Sequence, residues 1–253
     1  MEAIIMGSGT SHGVPVVGCS CRVCRSEDPR DKRSRASLLV RSRDINLLID
    51  TSTEFRIQAI REGISSLDAV FYTHSHADHL HGLDDIRPLT KDRPMPVYAG
   101  ESTQKDIRKR FDYIFSIRPG QKGGGRPKIE LRPLVPEGVT IKGIRIVPIP
   151  IFHGELPILG FRIGELAYIT DCSRIPEDSY PLLRGIKKLI IGALRKRPHP
   201  THFSIDEAVA EAERIGPENT WLTHLCHDHS HAELLEILPK KIEPAWDGLS
   251  ISF

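Results

Sequence analysis

The order of apolar runs along this chain predicts an α/β fold in which two β-sheets are covered by helices. Three observations carry that expectation. Short β-branched and aliphatic runs recur through both halves of the sequence. Amphipathic stretches fall between them, and the strand-rich blocks form two groups instead of one continuous βαβ series. The strand runs are Ala3 to Met6, Ser37 to Val40, Ile45 to Ile49, Ala69 to Tyr72, Ile144 to Ile149, Leu166 to Thr170, Leu189 to Ile191, Thr220 to Thr223 and Leu249 to Phe253. Helical patterns run from Glu54 to Arg61, Glu101 to Phe111, Ser204 to Ile215 and His231 to Leu238. The third opens with Ser204 and carries Glu207 three residues later, the spacing of a capping box.

With 253 residues, 39% of them hydrophobic, the chain is long enough for one sizeable core. No repeat, low-complexity tract or linker divides it, so a single domain over 1–253 is expected. The one irregular insertion is 116–128, where Gly123, Gly124 and Gly125 lie among Arg118, Lys122, Arg126 and Lys128. It reads as a solvated connection or as a mobile lid whose cations meet an anionic substrate. Thirty-five Lys and Arg against 33 Asp and Glu leave a net charge of +2. That balance supplies no broad field for a large nucleic acid or an anionic membrane, so phosphate affinity has to be local. The first residues lack a basic segment followed by an apolar run, and no stretch of about 18 apolar residues occurs, so the cytoplasm is the expected compartment. Five cysteines, three of them in Cys19-Ser20-Cys21-Arg22-Val23-Cys24, suit a reduced metal clip better than a disulfide framework.

The densest chemistry follows the fourth strand run, in Thr73-His74-Ser75-His76-Ala77-Asp78-His79. A lone histidine is more often a satisfied core or surface residue. Four ligand-type side chains within six positions at a strand end are not explained that way. Neutral imidazoles suit Zn²⁺, Mn²⁺ or Fe²⁺, and the carboxylate among them adds a harder donor.

This segment, extended by Gly82, resembles the H-x-H-x-D-H signature of the metallo-β-lactamase superfamily. That resemblance implies a four-layer αβ/βα sandwich of two mixed sheets flanked by helices. It also implies that His74, His76 and His153 hold one metal ion, that Asp78, His79 and His224 hold a second, and that Asp171 bridges them. Within the superfamily the sequence is similar to the PhnP-like phosphodiesterases, which act on cyclic phosphates. The likeness rests on Gly7-Ser8-Gly9-Thr10, Gly13-Val14-Pro15, the cysteine segment, Leu222-Thr223-His224-Leu225-Cys226-His227 and Ala245-Trp246-Asp247-Gly248-Leu249. It departs at 116–128 and at Asp50-Thr51-Ser52, where a glycine more often follows the aspartate.

Cys19, Cys21 and Cys24 supply three thiolates, and one further donor would close a tetrahedral structural zinc site. The PhnP-like group implies His227; Cys226 and Cys172 are the rivals. His202 falls where that group keeps a histidine that protonates the leaving oxygen, and Asp78, Asp171 and His202 are expected to carry catalysis. Asp50 is expected either to accept a hydrogen bond from a ligand histidine, and so set its tautomer, or simply to cap the strand end. His199 reads as bland, and His12, His81, His229 and His231 as surface or supporting residues. Arg195-Lys196-Arg197 reads as a solvated face that could also hold a terminal phosphate.

The expected activity is thus hydrolysis of a small or cyclic phosphodiester by a metal-bridging hydroxide, with two divalent ions (manganese, zinc or iron) and one structural zinc. The rivals are a thioester or lactone hydrolase and a non-heme iron dioxygenase, with an RNA-processing nuclease behind them. His76 stands where the diiron branch carries glutamate, which argues against that branch. The expected partner is a small-molecule substrate, and a homodimer is the default association.

Overall fold

The computed structural model describes residues 1–116 and 125–253. The earlier part of the chain supplies β1 (Glu2–Gly7), β2 (Ser37–Ser42), β3 (Ile45–Ile49), β4 (Ala69–Phe71), β5 (Met95–Ala99) and β6 (Ile129–Pro133). Then come β7 (Val139–Ile141), β8 (Ile144–His153), β9 (Leu156–Ile163), β10 (Leu166–Ile169), β11 (Lys188–Gly192), β12 (Asn219–Thr223), β13 (Ile242–Pro244) and β14 (Ser250–Ser252). The helices are α1 (Phe55–Arg61), α2 (Ala77–Leu80), α3 (Glu101–Arg110), α4 (Asp112–Phe115), α5 (Tyr180–Leu183), α6 (Ile205–Ile215) and α7 (His231–Ile237), with a 3-10 helix at His81–Thr90.

Among the described residues the strands form two sheets, ordered β14-β1-β2-β3-β4-β5-β6 and β13-β12-β11-β10-β9-β8-β7. Each sheet is antiparallel at one side and parallel at the other, with β3 to β6 parallel in the first and β10 to β13 parallel in the second. The side-chain period of two explains why the strands read as unbroken apolar runs. Leu38, Val40, Leu47 and Ile49 face the seam between the sheets, where they meet Phe161, Tyr168 and Ile190. The intervening Leu39 and Leu48 face outward and pack with Phe55, Leu83 and Ile107 from the covering helices. The second sheet buries Ile169, Leu189, Ile191 and Leu222 beneath Ala208 and Ala212 of α6. Two sheets, each covered on its outer side, are the four-layer sandwich expected from the sequence.

All nine strand runs appear, with edges displaced by a few residues. Five strands went unread: β5, β6, β7, β9 and β13. Pro96 in β5 and Pro157 with Gly160 in β9 break the apolar pattern, and β6, β7 and β13 are half-exposed or carry charge. The predicted Ser204 box forms, with Glu207 donating its backbone N–H to the Ser204 hydroxyl and its carboxylate accepting from the Ser204 backbone. A second box, Ser230 with Glu233, starts α7. Positions 117–124, most of the expected lid, lie outside the described residues. No helix among the described residues is long and apolar enough to cross a membrane.

Candidate metal centre

The site is built at the carboxyl ends of parallel strands, where an open α/β sheet presents its loops. Asp50 follows β3, Thr73 and His74 follow β4, Asp171 follows β10 and His224 follows β12, while His153 ends β8. Chain reversal is sharp enough that Asp50, Asp171 and His224 take left-handed backbone angles, with φ of 63°, 54° and 58°. Non-glycine residues rarely adopt that region, and such conformations persist where the surroundings enforce them. His76 caps α2, which carries Asp78 and His79. Gly82 lets the chain close on the loop after β3: a Cβ there would lie 2.1 Å from the Ser52 carbonyl oxygen.

Asp171 stands at the centre with its two oxygens facing different groups. Oδ1 lies 3.2 Å from Nε2 of both His79 and His224. Oδ2 lies 4.0 Å from His74 Nε2 and from His202 Nδ1. Asp78 Oδ2 approaches His79 Nε2 at 3.3 Å and His224 Nε2 at 3.7 Å. On the Oδ2 side the rings of His74, His76 and His153 converge, with centroids 4.5 to 5.7 Å apart. All seven residues expected from the sequence are therefore gathered in one place, and all but His76 are buried.

Charge and burial oppose each other here. Burial would raise the Asp171 carboxyl, yet His224, His79 and His74 hold it well below the usual range. Burial would lower His79, yet Asp171, Asp78 and Asp50 hold it well above its ordinary value. His74 is pushed well down by burial and by His79. Nε2 of His74, His79 and His224 is buried without a hydrogen-bond partner, as is His224 Nδ1. Buried polar atoms are nearly always satisfied, so several orphaned imidazole nitrogens around two carboxylates fit a donor set for divalent cations.

The supporting shell is equally specific. Asp50 is fully buried; its Oδ1 accepts the Thr73 backbone N–H at 2.8 Å, and Oδ2 faces the Thr73 hydroxyl at 2.8 Å and His79 Nδ1 at 2.7 Å. Such a contact leaves His79 Nε2 free to bind a metal. Replacing Asp50 by Ala strands all three donors in the interior. The expected loss is about 3 to 5 kcal/mol of stability and roughly 10- to 100-fold in metal affinity, read by denaturant unfolding of stripped protein and by metal titration. An unchanged metal affinity would remove the supporting role.

One support was not legible in the sequence: His153 Nδ1 lies 2.7 Å from the carbonyl oxygen of Thr201, a backbone group with no side-chain signal. Thr201 belongs to the loop 195–203, which also carries His199 and His202. His199 Nδ1 receives the Thr201 N–H at 3.3 Å, so this residue helps shape the loop. The His202 ring lies 4.5 Å from that of His153 and stacks on His224 at 4.9 Å.

A second cluster stands beside the first. His227 Nδ1 lies 3.3, 3.5 and 3.2 Å from the sulfurs of Cys19, Cys21 and Cys24. The Cys24 N–H points at Cys21 Sγ and is the main reason that thiol is drawn down to about 6. Cys226 Sγ instead accepts the Asp228 N–H, and Cys172 is buried in the core of the second sheet. The four gathered donors fit a closed tetrahedral zinc site. Asp247 ties the neighbouring turn down: its oxygens accept backbone and hydroxyl hydrogens of Ser8 and Ser34. Of the two positions expected for His231, surface or supporting, it takes the second: it opens α7 buried, its backbone N–H held by Asp31 and its ring edge-on to Trp246.

Residues 45–225 match the model of the beta-lactamase superfamily domain. A crystal structure described as a new diphosphatase from the PhnP family is 42% identical, with a TM-score of 0.92, covering 100% of this chain and 97% of that one. A Porphyromonas gingivalis protein named octanoyltransferase is 44% identical over 98% of this chain, which spans only 51% of that protein's length. A ribonuclease Z of Methanopyrus kandleri is 27% identical over 88% of this chain and 93% of its own.

Proposed function

The chain belongs to the metallo-β-lactamase superfamily, in its PhnP-like group, and from that premise we propose that it hydrolyses small phosphate diesters or diphosphates, cyclic phosphodiesters included. The observation that carries the proposal is Asp171, one of whose oxygens faces His79 and His224 while the other faces His74 and His202. A carboxylate so placed would serve both halves of a paired site. His74, His76 and His153 would hold one ion, and Asp78, His79 and His224 the other. Bound there, zinc or manganese would supply acidified water at neutral pH and neutralise phosphoryl charge.

The protein's own part is orientation and proton delivery. Asp50 and the Thr201 carbonyl fix two imidazoles, and burial of the cluster sharpens every charge within it. His202 is surplus to the donor count and is assigned to protonating the departing oxygen. Burial, then His224, push it down to about 3, so the free site holds it neutral. It takes up a proton from water as substrate binds, the anionic phosphoryl group stabilising the imidazolium.

The assignment is tested by turnover of bis(4-nitrophenyl) phosphate and by metal content. Three ions per chain are expected, falling to two in Cys24→Ser with hydrolysis reduced but present. A Cys24→Ser protein that keeps three would remove the clip from the metal count.

A second reading, acyl transfer or thioester hydrolysis, is favoured by the name of the P. gingivalis relative. That protein is about twice as long, and its unmatched half is the simpler bearer of the name. An octanoyl thioester hydrolysed faster than any phosphate ester would reverse this ranking. A tRNA-sized substrate is disfavoured by the net charge of +2.

A further inference from the structure

We propose that Asp106 and Arg110, on the outer helix α3, are positioning residues for the metal centre: by holding both polar groups of Ser75 they set the direction of His76, and with it the affinity for one of the two ions. This rests on the reading of the cluster as a paired metal site. It adds two residues that belong neither to the histidine motif nor to the donor set.

The need for such a hold comes from His76 itself. A metal-bound imidazole is ordinarily fixed through its second nitrogen. His74 Nδ1 meets the Thr73 hydroxyl at 2.9 Å, while His79 Nδ1 meets Asp50 and His153 Nδ1 the Thr201 carbonyl, both at 2.7 Å. His224 Nδ1 is unpartnered, but that ring is buried and stacks on His79 and His202. The His76 ring has no hydrogen-bond partner among the described residues, and it alone of the seven donors is exposed. Its direction therefore has to come from the backbone that carries it.

α3 secures that backbone. The Ser75 hydroxyl donates to Asp106 Oδ2, and Arg110 Nη1 donates to the Ser75 carbonyl oxygen. Asp106 and Arg110 are four residues apart, hence on one face of the helix, and their charged groups lie 3.6 Å from each other. Ser75 stands between His74 and His76, so fixing its carbonyl fixes the peptide that leads into His76. The helix is a firm base for this. Thr103 and Ile107 are buried, and the Gln104 amide donates to the carbonyls of Ala99 in β5 and Arg132 in β6. Beyond the helix, Phe111 lies edge-on to His81 with ring centroids 6.2 Å apart, and the Tyr113 hydroxyl donates to Asp84 at 2.6 Å. The stretch 106–113 thus meets the ligand-bearing stretch 75–84 at three points.

Folding stability does not account for the pair. Asp106 and Arg110 are each more than a third exposed, and an exposed ion pair of this spacing adds little to stability. What the two residues hold is the turn between two metal donors.

Manganese titration of the full chain tests the proposal, after chelation of the active-site ions; the thiolate cluster takes manganese poorly. The parent protein is expected to bind two ions. In the double variant Asp106→Ala, Arg110→Ala one affinity should fall about 10- to 100-fold while the other stays within about threefold. The affinity that falls should be the one His76→Ala abolishes. Arg110→Lys should keep part of it, since an ammonium also donates to a carbonyl. Ser75→Ala, a milder change that removes only the hydroxyl contact, should lower the same affinity. Glu101→Ala, Lys105→Ala breaks an exposed pair on the same helix and should leave both affinities and the unfolding midpoint unchanged. Unchanged affinities in the Asp106, Arg110 and Ser75 variants, a loss shared by both ions, or a loss seen only with a lowered unfolding midpoint overturns the positioning role. A parent protein that takes up two manganese ions and shows no selective loss in the variants fails that role alone; one that takes up fewer than two overturns the paired-metal reading as well.

Discussion

Asp171→Ala is expected to abolish hydrolysis of bis(4-nitrophenyl) phosphate, lowering kcat/KM by more than about 10³-fold. Partners one shell further out typically cost 10- to 100-fold when lost, and a carboxylate facing both halves of the donor set has to cost more. The charge arrangement points the same way. Asp171 is the common counter-charge for His74, His79 and His224, which together hold it ionised against a burial that would protonate it. Its removal takes away the one anionic donor that both halves of the site would share. Metal content measured beside the kinetics should fall below two ions in the active site, with the ion proposed for Cys19, Cys21, Cys24 and His227 kept. Turnover within tenfold of the parent protein would sink the paired-metal scheme.

His202→Ala should separate two leaving groups. An alkyl alkoxide needs a proton as it departs, whereas 4-nitrophenolate leaves without one, and a positioned acid contributes about 10² to 10⁴ in rate where it is needed. A large loss is expected for methyl 4-nitrophenyl phosphate only in release of methanol, and for dialkyl esters overall. Bis(4-nitrophenyl) phosphate should lose less than about tenfold in comparison. Because His202 also lies within ligand range of His153 and Asp171, metal analysis of the same variant is needed. Unchanged metal content with a leaving-group split supports the acid role; lost metal with equal losses for both substrates makes His202 a ligand.

What could be read from the sequence followed how local each signal was. His74, His76, Asp78 and His79 sit together on one turn, so their clustering needed no tertiary information. His153, Asp171 and His224 each follow a strand run, and the superfamily's order of motifs then named them. Asp50 closes a strand in the same way, and its contact with His79 is as expected. The Thr201 carbonyl was invisible because backbone atoms leave no trace in residue type. β9 was missed because Pro157 and Gly160 interrupt a strand held by its neighbours on both sides, a case of pairing overriding local preference.

The left-handed backbone at Asp50, Asp171 and His224 has a consequence for how this chain could be engineered. Asp50 also satisfies three buried donors, but at Asp171 and His224 glycine would relax the turn, and a chain chosen for endurance alone would place glycine there. Asp171→Gly should therefore unfold at a higher temperature than Asp171→Ala while being equally inactive. Resistance to heat and possession of the metal centre compete at Asp171 and His224, so a search for hardier variants will tend to discard the chemistry first.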